Sequence, residues 1–337
     1  MNRRHSLSTL AALLAGGFLP RSGAAQSAGF LPYANRPEVQ TWAQEFAKAS
    51  DWPVQEVLAI LAQGQSSEAV IRAMQPGPPG FKKSWKVYRS RFVEPIRIKA
   101  GVAFWNQWAT DLARAQVTFD VAAEIIVGII GVETLYGRNT GQFRVIDALM
   151  TLSFDYTRRA DYFKSELAQL LLYSRENALD PLTLLGSYAG AIGIGQFMPS
   201  SIRKHAVDFD GDGTIDLRNS PVDAIGSVAH YLAQHGWQAG QPIALPAKAN
   251  RHAQVADLLA SGPEPRYSLE ELQAAGISAL EPVPDNAKLL LVDLPTGDHT
   301  VEYRIGLANF YAITRYNKSF FYAAAVQDLG AAIARAR

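Results

Sequence analysis

The chain has 337 residues, 48% hydrophobic and 10% aromatic, enough to bury a substantial core and to fill two or three compact lobes. Its 32 Lys and Arg against 31 Asp and Glu leave a formal charge of +1, which excludes a nucleic-acid footprint or a polybasic membrane patch, so any polymer is read locally. With no cysteine there are no disulfides, thiolate metal sites, thiol nucleophiles or lipid-modified N-terminal cysteine.

The N-terminus carries Arg3 and Arg4, an apolar stretch from Leu7 to Leu19 and small residues up to Ala25, the layout of a secretory signal peptide over residues 1–25. The stretch falls short of the ~20 residues a spanning helix needs. Export to the periplasm without a lipid anchor is therefore expected. Pro37 to Met74 reads as helix, with Trp42, Phe46, Val57, Leu58, Ile60 and Leu61 as apolar positions, and the proline- and glycine-rich run Gln75 to Gly80 breaks it.

From about Ala100 to Trp237 helical patterning dominates. Val121, Ile125, Ile126, Val127, Ile129, Ile130 and Val132 predict a buried helix from about Asp120, with Gly137 as its stop signal. Glu133 is the carboxylate in its last turn. Desolvation and the negative end of the helix dipole both disfavour its ionised form, the setting of a glycosidase proton donor. The alternative is a glutamate that pairs with an arginine and ties helices together.

The run Gly190 to Ser201 mixes glycines with one amide, Gln196, able to donate to and accept from a sugar. It lacks the Lys-Ser/Thr of a phosphate loop. Asp208, Asp210, Asp212 and Asp216 occupy positions 1, 3, 5 and 9 of an EF-hand-like loop, with Gly213 at the turn position and a backbone carbonyl available from Thr214. Hard oxygen donors at that spacing suit Ca²⁺. Asn219 stands at position 12 in place of the bidentate Glu, and Asp223 is the candidate to close the site.

Beyond Trp237 the texture becomes β-rich, with Leu289–Leu294 and Thr300–Ile305 as strands, and Asn309 to Arg335 returns to helix with a small-residue face. Tyr88, Tyr316, Asn317, Tyr322, Arg158 and Arg159 are candidates to stack on or hydrogen-bond a sugar. A GxSxG elbow and an HExxH pair are both absent.

In order along the chain, Glu124–Arg138, Leu152–Arg159, Gln196–Ser201, the DxDGDG turn and Asn309–Asn317 resemble the lytic murein transglycosylase B family. The resemblance implies a mainly α fold: a lysozyme-like catalytic core over 100–237 holding the calcium loop, a helical domain over 30–99 completed by 306–337, and a small β domain over 238–305. It implies cleavage of the β-1,4 bond between N-acetylmuramic acid and N-acetylglucosamine of peptidoglycan, with a 1,6-anhydro product in place of hydrolysis. Glu133 matches the catalytic acid, which would act first as acid and then as base. Tyr88, Arg158, Arg159, Ser187, Gln196, Tyr316, Asn317 and Tyr322 match the groove-lining set, and Asp208, Asp210, Asp212 and Thr214 match the calcium loop. A structural Ca²⁺, no organic cofactor, glycan strands as substrate and cell-wall synthases as candidate protein partners follow from the same resemblance. Ile192 stands where many relatives have methionine. A lysozyme-type hydrolase using the same Glu133, and a silent peptidoglycan-binding protein, are the rival readings.

Overall fold

The structure, a computed structural model, describes residues 32–77, 80, 83–297 and 300–337, so the signal peptide read over 1–25 lies outside the described residues. The fold is mainly helical, and the chain forms two compact units that do not follow chain order. Among the described residues one unit comprises 77–138 and 205–337, and the other 32–76 and 139–204. The stretch read as a single core, 100–237, contributes to both.

The first unit is built around the helix Ala123–Thr134. Its apolar residues go all the way round, the pattern of a helix with no solvent face, and Ile126, Val127, Ile129 and Ile130 are fully buried. The helix starts three residues later than the sequence predicts, because Asp120 adopts a left-handed conformation (φ 58°) that ends the preceding helix Ala109–Phe119. The two helices turn through 114° at this corner, where the Trp237 indole donates to the Asp120 carbonyl at 2.9 Å. Gln116, on the preceding helix, accepts the Ala123 N–H at 3.1 Å and so satisfies one of the new helix's first free donors.

Against this helix lies Phe320–Ala336, whose Ala323, Ala324 and Ala325 are completely buried, the small-residue face expected from the sequence. The approach is close at two glycines. A Cβ on Gly128 would sit 2.7 Å from the Val326 carbonyl oxygen, and one on Gly330 would sit 2.4 Å from the Glu124 carbonyl oxygen. Both neighbours are backbone, so neither can swing aside.

The same unit carries a four-stranded antiparallel sheet in the spatial order Ile277–Ala279, Ala244–Ala249, Thr300–Gly306, Leu290–Gly297. Leu245 and Leu291 flank Ile305 in register, and with Leu258, Leu272, Ile277 and Leu289 they form a separate apolar core beneath the helices Val255–Ala260 and Leu269–Ala274. The two strands expected from the β-rich stretches Leu289–Leu294 and Thr300–Ile305 are present. Ala244–Ala249 was not predicted, since Ala-Leu-Pro-Ala-Lys-Ala has weak strand propensity and is recruited by pairing on both sides.

In the second unit Val145–Phe154 packs on Ala160–Glu176, alongside the N-terminal helices Pro37–Ser50 and Val54–Leu61. Asp155 is its polar hub, accepting from Tyr33 (2.5 Å), Arg36 (2.5 Å) and Ser66 (2.6 Å). Among the described residues no single helix is long and apolar enough to cross a membrane.

The close helix crossing carries a test. Gly330→Val forces a branched side chain against the Glu124 carbonyl and should destabilise the protein by about 1–3 kcal/mol, as overpacking does. Thermal melting followed by circular dichroism measures it, and an unchanged midpoint would contradict the crossing.

Candidate active site

Glu133 is on the last turn of Ala123–Thr134, partly buried, and among the described residues it makes no ion pair. Its one described hydrogen bond comes from Tyr322, whose O–H donates to Oε1 at 2.6 Å. The arginine-tethered alternative is therefore not what the fold builds. Burial raises the carboxyl pKa to about 7, and the Tyr322 hydrogen bond, by stabilising the carboxylate, opposes that rise. The outcome is a group balanced between its acid and its base near neutral pH.

Tyrosines surround this carboxyl. Tyr322 itself is only 2% exposed, and Tyr316 stacks nearly parallel to it (9°, centroids 6.5 Å apart). Tyr88 belongs to a cluster with Trp85, Phe92 and Phe321 and is electrostatically coupled to Glu133. Burial, reinforced by the Glu133 charge, pushes Tyr88, Tyr316 and Tyr322 above the ordinary phenol range. These hydroxyls stay protonated and act as donors. Asn317 terminates the helix Ala308–Tyr316 beside them.

Tyr231 belongs to this assembly and was not singled out in the sequence. Its O–H donates to the Arg315 carbonyl at 2.6 Å and its ring meets Tyr316 edge-on (4.9 Å, 67°), so it fastens the helix end that presents Tyr316 and Asn317. His235 stacks on it with centroids 4.0 Å apart. A tyrosine at core spacing on the helix Pro221–Gln234 gives no sequence signal that distinguishes it from ordinary packing.

The helix bearing Glu133 ends abruptly. Leu135, Tyr136 and Gly137 have successive left-handed φ values of 52°, 59° and 84°. Gly137, the expected stop, is the third of these, and the conformational break falls on Leu135 and Tyr136, where an L side chain bears a steric cost. Buried Thr134 accepts the Gly137 N–H at 3.0 Å and helps hold the turn.

The remaining groove-lining candidates, Arg158, Arg159, Ser187 and Gln196, fall in the second unit. Ser187 Oγ accepts the Ala191 N–H at 3.0 Å, and Gln196, left-handed at φ 53°, donates through Nε2 to the carbonyls of Thr140 (3.0 Å) and Gly193 (2.9 Å). The glutamine nitrogen thus braces the glycine-rich loop. Arg158 and Arg159 are exposed, and the Arg159 guanidinium lies 4.3 Å from the Tyr162 ring centroid.

In the acidic loop, carboxylate oxygens of Asp208, Asp210 and Asp212 all lie within 4.8 Å of one another, an all-oxygen set with the like-charge crowding that a hard divalent cation relieves. The residues present fit Ca²⁺. Asp208 accepts the N–H groups of Gly211, Asp212 and Gly213, which curls the loop around it. Asp223 is a correction: fully buried, it spends its oxygens on the N–H groups of Phe209 (2.8 Å), Asp210 (3.2 Å) and Asp216 (2.8 Å). It pins both ends of the loop to the start of Pro221–Gln234 and does not join the three-aspartate group. Asn219 donates to Asp216 at 2.8 Å.

The sequence profile of the transglycosylase SLT domain matches residues 34–331. The chain is 44% identical to the membrane-bound lytic murein transglycosylase B of Escherichia coli (strain K12), over 96% of this chain and 90% of that one. It superposes on the lytic transglycosylase SltB1 of Pseudomonas aeruginosa with a TM-score of 0.83 at 45% identity, covering 90% of this chain and 99% of that one. The Escherichia coli lytic transglycosylase Slt35, solved with calcium, gives 0.77 at 45% identity over 90% and 95%. SltB3 of Pseudomonas aeruginosa, solved with NAG-anhNAM-pentapeptide, gives 0.74 at 30% identity over 87% and 78%. With an aromatic-walled carboxyl already in place, these likenesses fix the assignment: the chain belongs to the lytic murein transglycosylases, peptidoglycan-cleaving lyases built on the transglycosylase SLT domain.

Proposed function

We propose that this protein cleaves the β-1,4 bond between N-acetylmuramic acid and N-acetylglucosamine and leaves a 1,6-anhydromuramoyl end, with Glu133 as the single acid and base. The observation that carries the reading is a carboxyl whose pKa burial raises to about 7 and whose described contact is a phenol. Protonated Glu133 gives its proton to the departing N-acetylglucosamine oxygen as the bond from C1 of the muramoyl residue breaks. The resulting carboxylate then takes the proton of the muramoyl 6-hydroxyl while its oxygen bonds to C1. Atoms balance without water. Glycosidases that use two carboxyl groups place the second about 5–9.5 Å away, and among the described residues no other carboxylate contributes to the shift of Glu133. The substrate's own N-acetyl group is left to stabilise the cationic centre, as in substrate-assisted enzymes. That the relative SltB3 is solved with an anhydro-sugar ligand supports the product assignment over the hydrolase reading.

Residues 100–237 are the catalytic core in this reading, 30–99 with 306–337 the helical domain and 238–305 the β domain. Tyr88, Tyr316, Asn317 and Tyr322 form the glycan-contacting set of the first unit, and Arg158, Arg159, Ser187 and Gln196 that of the second. Asp208, Asp210 and Asp212, with the Thr214 carbonyl, hold a structural Ca²⁺, in line with the calcium complex of Slt35. The ion's chemistry is to neutralise the crowded carboxylates and stiffen the loop. The protein works in the periplasm, exported by the N-terminal signal, on glycan strands and alongside cell-wall synthases.

Glu133→Gln removes the proton and keeps the shape, so release of soluble muropeptides from purified sacculi should fall at least a hundredfold while pelleting with sacculi persists. Unaltered release would end the proposal, and mass spectrometry of the products should show ends one water lighter than hydrolysis gives. Wild-type turnover should decline as pH rises through about 7, where Glu133 loses its proton. Tyr322→Phe removes the bond that favours the carboxylate, so the alkaline limb should shift to higher pH; a shift downward would contradict the assigned role of the phenol.

The same group affects stability. A carboxyl raised from 4.5 to about 7 in the folded state favours folding in its neutral form, a contribution complete below pH 4.5 and lost as pH rises through about 7. The difference corresponds to about 3 kcal/mol. Glu133→Gln should therefore melt with wild type at pH 4 and above it at pH 8, and coincident melts at pH 8 would be incompatible with the buried acid.

For the metal, Asp210→Asn should weaken calcium binding at least tenfold by calorimetry and abolish the rise in melting temperature that calcium produces in wild type. Equal affinities would remove Asp210 from the ligand set.

A further inference from the structure

Arg97 is 8% exposed, and its position is unusual for a buried cation. It lies in the first turn of Pro95–Gln107, where Glu94 caps the helix by accepting the N–H groups of Ile96 and Arg97, each at 2.7 Å. Its guanidinium reaches across to donate to the Gly131 carbonyl, in the last turn of the helix that bears Glu133. Among the described residues it makes no ion pair, and its Nε has no hydrogen-bond partner. A buried guanidinium is strongly unfavourable unless something offsets its lost hydration. Here the compensation is the negative end of a helix dipole, a charge-assisted bond to a carbonyl, the Phe92 ring 5.2 Å from the guanidinium and the field of Glu94.

Beside it sits Tyr136, one of the two non-glycine residues forced into the left-handed region right after the acid. Its hydroxyl is wedged between two helices: a Cβ on Gly101 or on Gly131 would lie 2.4 Å from it. The ring packs on Phe104 at 5.2 Å, and the hydroxyl has no hydrogen-bond partner among the described residues. The glycines at 101 and 131 make room for this wedge, and Arg97 holds the carbonyl beneath it.

We infer that Arg97 is a positioning residue for the reaction: with Tyr136 it clamps the last turn of the acid helix, so that the chain leaves through the strained Leu135–Gly137 turn and Glu133 stays at the dry end. It acts through Gly131, two residues before the acid, and touches no substrate. Residues two apart on a helix do not share a face. The effect on Glu133 is therefore geometric: the groups that interact with the carboxyl electrostatically are Tyr88, Tyr316 and Tyr322, and those that interact with Arg97 are Glu94 and Tyr136. The inference rests on Glu133 as the acid for its kinetic consequence but not for its structural one.

The test is Arg97→Met in the mature full chain, with two readouts. With Glu133 free to tilt into water, its titration midpoint, followed by NMR of ¹³C-labelled glutamate carboxyls, should fall by at least one pH unit. On sacculi kcat should fall at least tenfold with KM within twofold of wild type. Leu272→Ala in the separate sheet core serves as a control for general destabilisation and should lower the melting temperature without moving the midpoint. Arg97→Lys, which keeps charge but loses the planar fork, should show both effects at smaller amplitude and serves where Arg97→Met does not fold. A folded Arg97 variant with wild-type midpoint and wild-type kcat overturns the inference. The midpoint is readable whatever Glu133 does in catalysis, so active Glu133→Gln with a displaced midpoint in Arg97→Met would sink the acid assignment and leave the clamp standing.

Discussion

A carboxyl group removed from bulk water yet kept in hydrogen-bonding contact with a phenol is the constraint around which this protein is organised. Desolvation and the Tyr322 bond act on Glu133 in opposite directions, and their balance leaves the group able to give and to take a proton near neutrality. A carboxylate on an open surface would be too weak an acid reservoir at that pH. One sealed among apolar residues with no donor would resist ionising once its proton had gone. The reaction proposed for it needs both states in succession, so a single residue can serve only in such an intermediate setting.

The rest of the first unit reads as the machinery that maintains that setting. Glu133 and Tyr322 come from different helices, and those helices meet at a distance that only glycine permits, Gly128 against the Val326 backbone and Gly330 against that of Glu124. Side chains at these positions would part the helices and lengthen the Tyr322 bond. Tyr231 ties down the neighbouring helix end through the Arg315 carbonyl, and Arg97 does the same for the end of the acid helix. Strain is concentrated where the chain leaves the acid, at Leu135 and Tyr136, and the Tyr136 ring packed on Phe104, with its hydroxyl between Gly101 and Gly131, opposes its relaxation.

The acidic loop proposed to hold Ca²⁺ follows the same logic. Asp208, Asp210 and Asp212 repel one another until a cation is bound, while Asp223 beneath them is already satisfied by three backbone N–H groups. A loop prepared from below in this way keeps its curl, and in the proposed role a bound Ca²⁺ would supply cohesion above.

Much of this was legible in the linear chain because it depends on residues close together in sequence. The apolar run before Glu133, the β-rich composition of the late strands and the one-three-five spacing of the aspartates are each local features, and each matches an element of the fold. What the chain alone determined is the kind of group present at each place: an acid on a helix without a polar face, oxygen donors in a loop, aromatics near the end. Which groups meet was decided only in three dimensions. Tyr322 lies 189 residues from the carboxyl it serves, the Ala244–Ala249 strand exists through its neighbours, Asp223 turned inward to the backbone, and a stretch continuous in sequence was shared between two compact units. The physical reason is common to all four: long-range partners are selected by packing and by satisfaction of buried polar groups, and neither leaves a period in the sequence.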